Sequence, residues 1–213
     1  MLAFNNDQAQ ADKLRAQVLA HEAADEIVQG TYWQNGKGCF IGCIAHSDDA
    51  PLAASLLGGD LMLVRIAERI FEGLPNAEAK AFPARVLLAP RVGADLSLVP
   101  WEFLHWVVTD ALALADPATQ AACQPAVQVL AAKAKGEPLA ADAAAYAAAY
   151  AAADAAADAA RAAARAAAYA AAYAAADAAA DAARAAADAA RAAARTAAYA
   201  RQADKLVELL GAA

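Results

Sequence analysis

Between Pro138 and Gly211 the chain runs on alanine, with Tyr, Asp or Arg at every third or fourth place and neither glycine nor proline inside the stretch. Alanine has the highest helix propensity, and only glycine or proline would break such a run. The sequence therefore predicts one continuous helix over 138–211, roughly 105 Å long at about 1.5 Å per residue. The letters YAAAYAAADAAADAARAAARAAA of 146–168 begin again almost unchanged at Tyr169, so the tail holds a repeat over 146–168 and 169–191. A solenoid of short hairpins would need a turn in each repeat, and the repeat has no turn residue.

The marked residues Tyr146, Tyr150, Asp154, Asp158, Arg161, Arg165, Tyr169, Tyr173, Asp177, Asp181 and Arg184 form the candidate interaction surface. Asp158 with Arg161, and Asp181 with Arg184, are i,i+3 pairs with the acid N-terminal, the favoured order. Arg165 can lie over Tyr169 as a cation–π contact. Their mean step, about 3.8 residues, exceeds the 3.6 of a straight helix, so they wind around an isolated rod. They would keep to one side only in a right-handed coil, the hand expected for such a period. Methyl side chains on the other faces let helix backbones approach closely. The tail thus reads as a surface for helix–helix contact, with copies of itself or with the rest of the chain. An exposed spacer rod is the plainer alternative. Ice binding would call for a flat, regular apolar face, which the winding charges spoil.

Residues 1–137 have mixed composition and read as a small helical head. The fold class expected is all-α: a helical head domain (1–137) followed by a long alanine-rich helix (138–211), with right-handed twist if that helix self-associates. Asn6 or Asp7 can cap a first helix running to Gly30, with Leu14, Val18, His21, Ile27 and Val28 on its apolar side. Asn35-Gly36 marks a turn. Asp48 and Asp49 offer caps for a short helix ended by Gly58-Gly59. DLMLVRIAERIFEG (60–73) is the clearest helix of the head, capped by Asp60, with Arg65, Glu68, Arg69 and Glu72 as its polar stripe. Pro75, Pro83 and Pro90 punctuate two short helices. Two more follow within 97–113 and 118–135. No strand pattern of useful length is evident.

Charge and cysteine count narrow the function classes. The net charge is −7, and the six Asp and six Arg between Asp142 and Arg201 balance the tail, which argues against binding a nucleic-acid backbone. No run of apolar residues is long enough to span a membrane, and the first residues lack a secretory pattern. Three cysteines without an export signal suggest reduced thiols and a cytoplasmic location. No cofactor motif is recognisable. GKG at 36–38 lacks the longer pattern of a phosphate loop.

Two kinds of chemistry remain open in the head. Cys39, Cys43 and His46 fall at i, i+4, i+7 and would share one helical face as weak metal candidates, although one face cannot wrap an ion. Cys39 follows GKG and could be an activated thiol at a helix N-terminus beside Lys37, with His21 or His46 as base. The plain alternative makes Cys39 and Cys43 core residues.

YWQNGKGCFIGCIAHSD (32–48), RIFEGLPNAEAKAFP (69–83), VGADL (92–96) and the alanine-rich tail ending in ADKLVELL (203–210) together resemble a group of uncharacterised proteins from bacterial, prophage and phage genomes. After Asp49 the chain departs from that group's pattern. The resemblance implies a phage or prophage accessory protein and carries over no catalytic residue. The leading expectation is a non-enzymatic interaction protein that oligomerises through its tail, binds a protein partner, or both, and that sequesters a host component. The alternative is a thiol-dependent enzyme or small-ligand-binding head centred on Cys39, with the tail as scaffold.

Overall fold

The computed structural model describes residues 1–137 and 177–213, with side chains of the latter segment described from residue 187 onward. The protein is all-α. The described residues form eight α-helices, a short 3-10 turn at Ala3–Asn6 and one two-stranded hairpin. Contacts divide the chain into two compact units. One joins Met1–Phe103 with Thr196–Ala213, and the other is Leu104–Arg195. Composition changes at 137–138 instead.

In the first unit, α1 (Gln8–Ala23) starts where Asp7 accepts hydrogen bonds from the Ala9 and Gln10 amides. The helix ends well before Gly30, the stop expected from sequence. Asp25 takes a left-handed conformation (φ 56°), and the Glu26 amide bonds back to the His21 carbonyl at 2.9 Å. Ile27 and Val28 then run extended beside Gly38, which suits β-branched side chains better than another helical turn. The hairpin joins β1 (Trp33–Gln34) to β2 (Lys37–Gly38). Its turn residues Asn35 and Gly36 have φ of 53° and 80°, the two positive values that Asn-Gly supplies in a tight hairpin.

Next come α2 (Phe40–Ala45), α3 (Ala50–Leu57), α4 (Leu61–Gly73) and α5 (Asn76–Leu88). Asp49 caps α3 through the Leu52 amide, and Asp60 caps α4 through the Leu63 amide, each at 2.8 Å. Leu63, Val64, Ala67, Ile70 and Phe71 bury one side of α4 and leave Arg65, Arg69 and Glu72 of its charged stripe exposed, with Glu68 half-buried. α5 is one helix rather than the two expected. Pro83 forfeits a backbone hydrogen bond inside it, yet Phe82, Pro83, Ala84, Val86 and Leu87 are all buried, and that packing offsets the loss. The N-terminus is tied down alongside 94–96, where the Ala3 amide bonds to the Ala94 carbonyl and the Leu96 amide to the Met1 carbonyl.

The last helix of the chain, α8 (Asp177–Ala212), closes this unit with its final turns. Ala203, Leu206 and Leu210 are essentially inaccessible to solvent, and Leu210 lines the same apolar centre as Phe4, Phe40 and Leu87. Arg85 of α5 pairs with Asp204 at 2.6 Å. The Tyr199 ring lies so close to Gly73 that a Cβ added there would sit 2.4 Å from it. Most of the tail's helical contact reading falls on 138–176, outside the described residues.

α6 (Val99–Leu112) begins in the first unit and continues into the second. There α7 (Pro117–Ala134) is capped by Asp116, which accepts from the Ala118 and Thr119 amides, and Cys123 and Ala126 are its buried residues. No single helix among the described residues is long and apolar enough to cross a membrane.

Candidate functional site

α2 is too short to carry Cys39, Cys43 and His46 on one face. Cys39 is its N-cap in extended conformation (ψ −171°), and His46 is its C-cap in the left-handed region (φ 52°). The backbone thus turns both end residues off the helix. The Cys39 thiol points to the Tyr32 carbonyl at 3.8 Å, the Cys43 thiol to the Gly38 carbonyl at 3.3 Å, and the His46 ring goes elsewhere. The metal set Cys39–Cys43–His46 expected from spacing is therefore not assembled, because the i, i+4, i+7 argument holds only inside a continuous helix.

The His46 ring meets His21 instead. The two Nε2 atoms are 2.9 Å apart. His21 is buried near the end of α1, and its Nδ1 lies 2.6 Å from a carboxylate oxygen of Glu26. Trp33 stacks on the exposed His46 ring, with centroids 4.4 Å apart and planes 17° from parallel. One turn before His21, Gln17 donates to the Cys43 and Ile44 carbonyls and locks α1 to the end of α2. Partial burial, and then the neighbouring His21 ring, hold the His46 pKa below its ordinary value. Two histidines 25 residues apart are thus brought into one cluster with Glu26 and Trp33. The sequence offered each histidine as a base. It held no signal for the Glu26 partnership, which depends on the left-handed Asp25.

A second cluster opens on the other side of the 31–39 segment. Gly30, Thr31, Tyr32, Cys39 and the α4 stripe of Arg65, Glu68, Arg69 and Glu72 line a cleft of about 370 Å³. Glu68 accepts from the Ile41 amide at 3.1 Å, serving the α2 N-terminus that its own N-cap residue leaves without a side-chain acceptor. Both carboxylate oxygens of Glu72 accept from the Gly30 amide. Cys39, Glu68 and Glu72 bring their ligand atoms within 4.8 Å of one another.

Burial, followed by the Glu68 carboxylate, pushes the pKa of the Cys39 thiol well up. Lys37, expected to lower it, sends its ammonium to the Asp25 carbonyl 3.2 Å away. Cys43 is pushed up to about 12 by burial and by Glu26. Glu68 is itself raised by burial.

Of the tail residues named from sequence, Tyr146, Tyr150, Asp154, Asp158, Arg161, Arg165, Tyr169 and Tyr173 lie outside the described residues. Asp177, Asp181 and Arg184 fall on the backbone of α8. Neither a family model, nor a curated protein, nor a solved structure matches the chain.

Proposed function

We propose that this chain is a non-enzymatic interaction protein that works through its alanine-rich helix. The supporting observation is the seat of that helix: Ala203, Leu206 and Leu210 are buried among head side chains, and Asp204 is paired with Arg85. A helix held at its end in this way is fixed to the head by packing rather than tethered as a free spacer. Its marked residues are then offered to a second copy of the chain, with methyl faces for close approach and Tyr, Asp and Arg for register. The resemblance to bacterial, prophage and phage proteins adds the biological setting, an accessory factor in the cytoplasm that binds or sequesters a host component.

Light scattering on the full chain across a concentration series tests the assembly. The expected mass is two or more times the chain's, in whole multiples. Reversing Asp154, Asp158, Asp177 and Asp181 to arginine should return it to one chain. A single-chain mass at every concentration rules out self-association through the tail.

The cleft beside Cys39 favours a second reading, a small-ligand-binding head. Its paired arginines and glutamates at one rim are suited to a polar ligand, whereas the buried, raised thiol does not suit nucleophilic chemistry.

A further inference from the structure

We propose that His21 and His46 form a binding site for a divalent transition metal such as zinc or copper(II), with Glu26 as the outer carboxylate that holds His21 in its ligating tautomer. The two rings come from different elements and aim nitrogen at nitrogen, Nε2 to Nε2, across 2.9 Å. With Nδ1–H of His21 donating to Glu26 at 2.6 Å, Nε2 of His21 carries a lone pair directed at His46. A histidine so tied to a carboxylate is the arrangement that orients metal-bound imidazoles and raises their basicity. Tetrahedral zinc with two imidazole nitrogens at about 2.0–2.1 Å spaces those nitrogens about 3.3 Å apart, so the rings need to part by only a few tenths of an ångström.

The surroundings hold both rings in place before any ion arrives. Trp33 stacks on the His46 ring and meets His21 edge-on, with centroids 5.3 Å apart. His46 and Asp25 both adopt the left-handed backbone, uncommon for residues other than glycine, and these two positions swing His46 and Glu26 toward His21. His21 is buried while His46 is exposed, so the remaining coordination positions face solvent and water can fill them. Glu26 offsets the ion's charge, and Lys13 of α1 opposes it, which favours a moderate affinity.

The test uses full-length protein stripped with a chelator and titrated with zinc(II) or copper(II) salts alone. One saturable equivalent is expected, with nitrogen hyperfine structure in the copper spectrum. Zinc should shift the imidazole nitrogens of His21 and His46 in the NMR spectrum of the unmodified protein and leave those of His105 in place. His46→Asn keeps a residue tolerant of the left-handed backbone and should weaken binding at least tenfold. Glu26→Gln should cost about 10–100-fold. His105→Gln should change nothing. Affinity should fall on acidification, because protons compete with the ion for the imidazole nitrogens.

Absence of saturable binding overturns the proposal, as do unchanged affinity in His46→Asn and a loss confined to Cys39→Ser. The last result would place the ion at Cys39, Glu68 and Glu72 instead. Circular dichroism of each variant separates lost binding from lost folding, and the NMR shifts of the unmodified protein decide the matter if a variant does not fold.

Discussion

Replacing Leu206 by alanine should measurably loosen the head, although 117 residues stand between it and the end of α5 at Leu88, the helix whose Arg85 pairs with Asp204. Leu206 is 0% exposed on the last turns of α8. Leucine-to-alanine changes at such sites cost about 2–5 kcal/mol, the spread reflecting how far the surroundings collapse into the cavity. A helix packed near its end can shift inward, so the lower part of that range applies, about 2–3.5 kcal/mol. For a chain of this size each kcal/mol moves the melting point by about 2–4 °C, which gives a loss of about 4–14 °C. Thermal unfolding followed by circular dichroism at a helix band is the assay. Glu208→Ala, on an exposed position paired with Lys205 one turn away, is the control and should shift the midpoint little. A Leu206→Ala midpoint equal to that of the control would mean that the end of α8 is not seated on the head, and the reasoning for a fixed helix would fall.

Three further outcomes probe the same corners. Gly73→Ala should destabilise the wild-type chain, because the new Cβ would meet the Tyr199 ring at 2.4 Å; in a Tyr199→Ala background the same change should be neutral or stabilising, and additive effects would refute the contact. In the native protein Cys39 and Cys43 should react slowly with an aromatic disulfide at neutral pH, and all three thiols should titrate after denaturation; fast reaction of Cys39 in mildly acidic solution would contradict its burial. Glu68 has a raised folded-state pKa, so its contribution to stability is fully present below its ordinary value of 4.5 and is lost as pH rises through the folded value. The melting-point advantage of Glu68→Gln over wild type should therefore grow from about pH 4.5 upward, and a pH-independent difference would show that the carboxyl is not shifted.

The elements legible in the sequence are those specified by short-range chemistry. Asp60 and Gly73 bound α4, Asp49 and Gly58 bound α3, and Asn35-Gly36 makes its hairpin turn, because capping and turn preferences act over a few residues. Where tertiary contacts set the outcome, the letters mislead. Helical periodicity carries through Ile27 and Val28, but an isolated bridge to Gly38 holds them extended. Pro83 reads as a break, but burial of its neighbours carries α5 through it. The same division runs through the candidate sites. The stripe of Arg65, Glu68, Arg69 and Glu72 is visible in its spacing, whereas the cleft it borders needs the 30–39 segment to fold over it.

Glycine shows how these long-range placements are enforced. Gly42 sits inside α2, where its missing side chain reads as a modest loss of helix propensity. A Cβ at that position would lie 1.4 Å from the Tyr32 carbonyl oxygen, so only glycine lets the hairpin strand lie directly on the helix. That contact brings Trp33 over His46 and holds Tyr32 above Cys39, so a single hydrogen-only position serves both clusters at once. Gly73 does the same for Tyr199 at the other end of the head. Close backbone approach at Gly42 organises the head around α2, whereas side chains seat the end of α8: the Tyr199 ring against Gly73, and Leu206 and Leu210 in the core. The histidine pair and the Cys39 cleft therefore both depend on one glycine, placed where two backbones nearly touch.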